Sequence, residues 1–334
     1  MQRHTPPTKS IADLPDIRER IICPICQHHT TYSTTSVRCM NVECETEFPV
    51  TGGIPILINE SESLFTIEKF LTHQQKKYQA ITTKNSATTK VKQFAKRMRG
   101  MLQPSLSLNL SYKRNFNMLN RLLSHQKNPK ILIIGGAIIT SGTEMLFAPE
   151  RTIVESDIYI GPRTQVIIDA HHIPFEDETF DLVIFQAVLE HVLDPPQCVA
   201  EAHRVLKNDG IIFATTPFMQ QVHMKAYDFT RYTQLGHRRL FRAFEQMDSG
   251  VIAGTGVALG WSIRYFLNSL TTNKYARSSL LLIASWLFFW LKYIDYITYK
   301  NKATINGASG FYFIGKKSIC ILDDKELIKM YRGI

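Results

Sequence analysis

Several things are missing from this sequence, and each absence narrows what the chain can be. Met1 to Arg20 holds prolines and charges but no apolar stretch, so no secretory signal is expected and the chain should stay in the cytoplasm. No uncharged apolar run reaches the roughly 18 residues of a spanning helix. The greasiest, starting at Ser278 and carrying Trp286 and Trp290, is interrupted by Lys292 and Asp295. It reads as a buried helix, a greasy substrate lid or an interfacial anchor, the last giving peripheral contact at the inner membrane face. Cysteine is sparse, six in 334 residues. In a reducing compartment those six are ligands or core thiols before they are disulfides, and Cys198 and Cys320 read as core thiols. Charge is modest at 20% against 44% hydrophobic residues, which excludes a disordered chain. Acidic residues are outnumbered 29 to 39, leaving a net charge of +10. That excess suits an anionic partner such as nucleic acid, a nucleotide-linked substrate or an anionic membrane, and equally a plain solvated surface. The length allows one ordinary core plus a small accessory module.

What is present is organised around residues 131–217. Ile131-Leu-Ile-Ile-Gly135-Gly136 is a branched apolar run breaking into paired glycines, the pattern of a buried parallel strand that ends in a tight turn. Further short apolar runs follow at 152–157, 165–169, 180–185 and 211–217, each ending in a polar or turn residue. In an open α/β sheet the ligand sits beyond the carboxyl ends of the strands, so those terminal residues form the binding edge. Asp157 ends the second run about twenty residues after Gly135, where a nucleotide-binding fold places its ribose-binding carboxylate. An NAD-dependent oxidoreductase would use the same pair.

The continuation separates the two readings. Asp169-Ala-His-His-Ile-Pro-Phe, the Leu-Glu-His191 segment, Arg204-Val-Leu-Lys-Asn-Asp-Gly210 and Thr216-Pro-Phe218 closely resemble class I S-adenosylmethionine-dependent methyltransferases of the type 11 group. The resemblance covers about half the chain. It implies an α/β, Rossmann-like seven-stranded sheet with helices on both faces, over residues 105–334, closed by a late strand at 308–317. It implies cofactor contacts from Gly135, Gly136, Ala137, Asp157, Ile158, Asp169, Ala170 and Gln186, with Asp157 on the ribose and Asp169 beside the Ala170 amide on the adenine. Phe116, Leu119, Leu122 and Leu123 form a helical stripe that fits the lead-in helix, and Val199, Ala202, Val205 and Leu206 mark a later helix stopped by Gly210. Asp181 is expected to hold a turn. The glycine turn departs from the family at two positions, where Ile133 replaces an acid and Ala137 a glycine; those two departures are the support for a non-catalytic scaffold of the same fold.

Ahead of this domain, Cys23-Pro-Ile-Cys26 and Cys39-Met-Asn-Val-Glu-Cys44 form two knuckles a dozen residues apart. Four such thiolates can surround Zn²⁺ tetrahedrally, and so short a segment needs the metal to fold. With its tail into Gly-Ile-Pro55, the module resembles the Trm112-like zinc ribbon family, although the second knuckle is two residues longer than usual. It is assigned residues 1–59. Residues 60–104 follow as a basic linker, with Lys76 to Arg99 strongly positive and Val91, Ala95 and Met98 at helical spacing.

Beyond the fifth strand, residues 219–236 gather His223, Asp228, Arg231 and Tyr232 in a loop suited to substrate. The stretch resembles methyltransferases encoded with bacterial surface-polysaccharide enzymes, so Asp228, Arg231 and Tyr232 are substrate-binding candidates. Asp228 and Arg231 could instead pair and pin the loop. A hydroxyl acceptor needs its proton removed, and His223 or His191 suits that task, oriented by Glu190 or Asp228. The acceptor expected is a carbohydrate or a lipid- or nucleotide-linked glycan precursor. The alternative is RNA, because a zinc ribbon ahead of this fold also resembles ribosomal RNA base methyltransferases and the linker suits phosphates. A hydrophobic helical insertion is expected near 263–298.

Overall fold

The computed structural model describes residues 10–72 and 103–334. The basic run from Lys76 to Arg99, with its helical stripe, lies outside the described residues. The chain opens with a helical turn and the short helix α1 (Pro15–Arg18), then four strands: β1 (Thr30–Tyr32), β2 (Ser36–Cys39), β3 (Glu47–Thr51) and β4 (Ile54–Leu57). Helix α2 (Tyr112–Leu123) leads into β5 (Lys130–Ile134), β6 (Thr152–Asp157), β7 (Val166–Ile168) and β8 (Phe180–Gln186). Then come α3 (Pro195–Val205), β9 (Leu206–Pro217), α4 (Gln234–Leu240) and β10 (Phe244–Ala253). The helices α5 (Thr255–Ser269), α6 (Lys274–Phe288), α7 (Leu291–Thr298) and α8 (Lys302–Gly307) precede β11 (Gly310–Lys317) and α9 (Asp324–Lys329).

Among the described residues eleven strands join one sheet, in the order β1-β2-β3-β4-β7-β6-β5-β8-β9-β11-β10. From β7 to β9 the neighbours are parallel, and β11 runs antiparallel between β9 and β10. The run β7-β6-β5-β8-β9-β11-β10 is the seven-stranded sheet that the resemblance implies; its seventh strand, β10, is one that charge and polarity hide in the sequence. Helix α3 ends at Val205, so Gly210 does not stop it but sits inside β9. Helix α2 buries Phe116, Leu119 and Leu123 against the sheet, as its stripe requires. Cys198 is buried, whereas Cys320 is exposed and is not a core thiol.

The N-terminal module does not stand apart. Strand β4 pairs in parallel with β7 through Ile56 and Leu57 opposite Ile167 and Ile168. Ile22 donates its backbone N–H to the Pro174 carbonyl at 3.1 Å. One continuous apolar cluster holds Ile11, Ile17, Val37, Phe48 and Leu57 together with Leu132, Val154 and Phe185. Ribbon and sheet therefore share a core.

Residues Lys274–Thr298 form a 25-residue helical stretch long and apolar enough to cross a membrane, more than the sequence reading allowed. Its contacts place it on the domain surface. The charge that interrupts the run, Asp295, is fully buried and accepts hydrogen bonds from the backbone N–H groups of Gly254, Gly256 and Val257 at 2.7–3.1 Å. It caps the N-terminus of α5 from the side, where a negative charge is favoured.

His237 on α4 is buried edge-on against Phe241, with Nε2 unpartnered, and burial pushes its pKa down to about 3. The unfolded chain protonates this imidazole near pH 6.5 while the folded chain resists down to about 3. Stability is then full above pH 6.5 and falls as the pH drops below it. Urea melts at pH 7.5 and pH 5 should differ by about 2 kcal/mol from this group, a difference that His237→Phe should remove.

Candidate active site

The carboxyl ends of β5, β6, β7 and β8 open into a cavity of about 820 Å³. Gly135 turns the chain out of β5 with φ +80°, and a Cβ there would sit 2.5 Å from Val188 Cγ2, so the turn needs glycine on both counts. Asp157, ending β6, accepts the Ala137 N–H at 3.0 Å on one oxygen and the Tyr159 N–H at 2.9 Å on the other. Burial pushes its pKa up against those amides. A carboxylate has about four lone-pair positions, so two remain for a diol. Gln186, ending β8, accepts from Thr140 Oγ1 at 2.6 Å and donates to the Ser141 carbonyl at 3.4 Å. Asp157 and Gln186 thus hold the turn that Ile133 cannot. Gly135, Ala137, Ile158, Asp169 and Ala170 line the same cavity. Gly136 stands behind its wall, donating its N–H to the Ser156 carbonyl at 2.8 Å. Asp181 lies at the other end of the sheet, where it binds the Lys130 N–H and Lys207.

Asp169 is more heavily engaged than the sequence suggests. Burial works to raise its pKa, but hydrogen bonds from His171 and Ser63 outweigh it and hold the carboxyl below its usual range. Ser63 Oγ and His171 Nδ1 each lie 2.5 Å from one of its oxygens. His171 Nε2 accepts the Asp194 N–H at 3.0 Å, which fixes a neutral, Nδ1-protonated ring. Asp194 in turn caps α3. Ser63 belongs to the segment just after β4, and its neighbours Glu62, Leu64 and Phe65 line the cavity. The Phe65 ring stacks on Tyr227 of the 219–236 loop, with centroids 5.7 Å apart and planes at 20°. The ribbon's tail and the loop together roof the cavity. Nothing in the local sequence signals this, because it depends on β4 joining β7.

A second cavity of about 410 Å³ adjoins the first and shares Ala187 and His223 with it. Its wall includes Ser105, Ser107, Asn109, Thr215, Thr216 and the Trp261 indole. Ala187 leaves β8 with φ +56°, an uncommon conformation for a residue with a side chain, of the kind found at functional sites. Between the cavities stand Glu190, His191 and His223. Glu190 is 1% exposed, its Oε2 has no partner, and burial pushes its pKa up to about 8. His191 donates from Nδ1 to the Tyr227 carbonyl at 2.6 Å. Asp228 and Arg231 line neither cavity. They pair with each other, and Arg231 also donates to the Gln220 and Gln221 carbonyls at 2.8 and 3.2 Å. Against the burial that opposes it, Arg231 holds the Asp228 carboxyl down at about 2. Tyr232 also faces neither cavity; its ring packs near His237. These three residues shape the loop rather than line the pocket.

Strands β6, β7 and β8, with Asp157 and Asp169, fall within residues 148–214, which match the family model described as a methyltransferase domain, and the glycine turn lies just ahead of them. The fold is that of a methyltransferase domain. The match takes in Asp157, Asp169 and His191, all of which line the larger cavity. The mouse mitochondrial arginine-hydroxylase NDUFAF5 is 38% identical over 58 residues, 17% of this chain and 16% of that one. The chain thus spans about a sixth of the length of the curated relatives it matches. Among solved structures, phosphoethanolamine N-methyltransferase 2 of Haemonchus contortus in complex with S-adenosyl-L-methionine is 16% identical, with a TM-score of 0.38 over 63% of this chain and 54% of that one. The MccD protein is 12% identical, with a TM-score of 0.40 over 64% of this chain and all of its own.

The four cysteines of the N-terminal module converge. Cys23 and Cys44 sulfurs lie 3.9 Å apart, Cys26 and Cys39 sulfurs 3.4 Å, and all four fall within 4.8 Å of one another. Tetrahedral Zn–S bonds of about 2.3 Å put sulfurs about 3.8 Å apart. Asn41 absorbs the long knuckle: its carbonyl accepts the Cys44 and Glu45 N–H groups, and its side chain accepts that of Glu43. The donor set and spacing fit zinc.

Proposed function

We propose that this protein moves the methyl group of S-adenosylmethionine to a hydroxyl of a lipid- or nucleotide-linked glycan precursor at the cytoplasmic membrane face, with Zn²⁺ held by its four N-terminal cysteines. The observation that carries the acceptor class is the second cavity. Its hydroxyls, amides and single indole suit a ring bearing many hydroxyl groups, and the buried Thr216 Oγ1 lacks a partner that such a ring would supply. The cofactor supplies an electrophilic methyl when bound. The chain's own residues orient the acceptor, exclude water beneath the Phe65–Tyr227 roof and set the Glu190–His191–His223 cluster beside the hydroxyl that must lose its proton. Incubation with methyl-labelled cofactor and a bacterial extract should place label in the lipid-linked or nucleotide-linked sugar fraction. Label confined to RNA, or salt-sensitive RNA binding alone, would favour the nucleic-acid reading and remove this one.

The membrane part of the proposal comes from α6 and α7. Ile283, Trp286, Leu287, Trp290 and Ile297 are exposed, and the exposed cations Lys274, Arg277, Lys300 and Lys302 flank them. An apolar face bordered by basic residues is the pattern of an interfacial helix on an anionic surface. Phosphatidylglycerol vesicles should co-sediment the protein, and Trp286→Ser with Trp290→Ser should weaken that at least tenfold. Equal partition of the double variant would exclude this face.

A further inference from the structure

Glu190, His191 and His223 sit at the junction of the two cavities in an arrangement that hydrogen bonding among themselves cannot satisfy. The Nε2 atoms of both histidines lie 3.8 Å from Glu190 Oε1, too far for a hydrogen bond. The three ligand atoms fall within 4.8 Å of one another, and the rings meet edge-to-face with centroids 4.7 Å apart. Each imidazole spends its other nitrogen elsewhere. His191 Nδ1 faces the Tyr227 carbonyl at 2.6 Å, an acceptor only, so the proton is on Nδ1 and Nε2 carries a lone pair. His223 Nδ1 faces Asp228 Oδ2 at 3.3 Å and the Gln221 carbonyl at 3.4 Å, again acceptors only. Two imidazole lone pairs and a buried carboxyl group therefore converge on one point with no hydrogen bond between them.

Among the described residues no free cation reaches that point. Arg231 is nearest in sequence, and its guanidinium is committed to Asp228 and to the Gln220 and Gln221 carbonyls. Glu190 Oε2, almost completely buried, is unpartnered. A buried carboxylate in that state is costly unless a cation completes it. The backbone that carries the cluster is pinned, since the Glu190 carbonyl accepts the Phe229 N–H at 2.8 Å and His191 N–H binds the Val188 carbonyl at 2.8 Å. The hydrogen bonds from the far nitrogens to the Tyr227 and Gln221 carbonyls are outer contacts of the kind that orient metal-binding histidines.

We propose that Glu190, His191 and His223 bind one divalent transition-metal ion, separate from the cysteine site, with open coordination positions facing the two cavities. Metal–nitrogen and metal–oxygen bonds of about 2.1 Å need ligand atoms about 3.0–3.4 Å apart, so the two histidine–carboxyl distances of 3.8 Å must close by roughly 0.4–0.8 Å. Two imidazoles and a carboxylate select an ion of the iron(II), cobalt, zinc or manganese kind over magnesium or calcium. Three protein ligands with vacancies make a reactive rather than a structural site. What the ion does rests on the methyltransferase reading; that it binds does not. An acceptor hydroxyl at an open position becomes more acidic, and its proton leaves to solvent because both imidazole lone pairs are occupied. The alkoxide oxygen then forms the O–CH₃ bond as the S–CH₃ bond breaks, and the sulfonium becomes a neutral thioether.

The test is a Co²⁺ titration of the full-length, zinc-loaded protein, followed by calorimetry and visible absorption. One Co²⁺ per chain is expected, with ligand-field bands but no thiolate charge-transfer band, which marks nitrogen and oxygen ligands rather than exchange into the cysteines. Glu190→Gln and His223→Ala should each weaken it at least tenfold while keeping their zinc content and melting temperature, the check that they fold. No second ion, or one that both variants bind as the parent does, would overturn the proposal. S-adenosylhomocysteine titrated into the same samples separates the two failures. Cofactor binding without cobalt removes only the metal site, and cobalt without cofactor binding removes only the methyltransferase reading.

Discussion

Asp157→Ala is expected to weaken S-adenosylhomocysteine binding by about 100-fold or more in calorimetry. The carboxylate ends β6 where the cofactor's ribose would lie, and two charge-assisted hydrogen bonds to a diol are together worth about 3 kcal/mol or more. The same side chain organises the turn: without it the Ala137 and Tyr159 N–H groups lose their acceptor. Binding should therefore fall by more than the ribose contacts alone, because the glycine turn that faces the methionine end loosens too. Asp157→Asn should lie between, since an amide oxygen can hold one of the two N–H groups while its NH₂ opposes the other. A fully folded Asp157→Ala protein that binds like the parent would show that the cofactor does not use this edge of the sheet.

Removal of the metal from the cysteine module should unfold far more than the ribbon. Structural zinc contributes roughly 10–16 kcal/mol in small ribbons and fingers, against total stabilities of about 5–15 kcal/mol for ordinary domains. In this chain the module shares its apolar cluster with the sheet, and β4 is hydrogen-bonded to β7. Chelation, or Cys23→Ser, is therefore expected to give a single melting transition shifted down by tens of degrees rather than loss of a small separate step. Cofactor affinity should drop in parallel, because Ser63 holds Asp169 and Phe65 lines the cavity only while β4 is in place. Two independent transitions, or cofactor affinity untouched by chelation, would contradict this coupling.

These couplings mark where the sequence stops being readable. The glycine turn, Asp157, the apolar strands and the α2 stripe are local patterns, and each sits in the structure where its pattern puts it. The paired cysteines are legible for the same reason, since ligand spacing is a property of short segments. The roof over the cavity is not. Ser63, Phe65, His171 and Tyr227 meet only because strands far apart in the chain become neighbours, and none carries a local signature. Asp295 shows the converse error. Along the chain it looks like a charge interrupting a greasy helix, and in space it is the cap of another helix. Asp228 and Arg231 look like substrate ligands because loops beyond strand ends often bear them, yet three residues of separation let them pair, and the loop is held by that pair.

The measurement that bears most directly on the central claim is a calorimetric titration of the folded, zinc-loaded protein with S-adenosylhomocysteine. One binding event per chain in the micromolar range, weakened by Asp157→Ala, is the expected result. A folded protein that takes up no cofactor product at millimolar concentration would contradict the claim and leave a scaffold that keeps the methyltransferase fold without its chemistry.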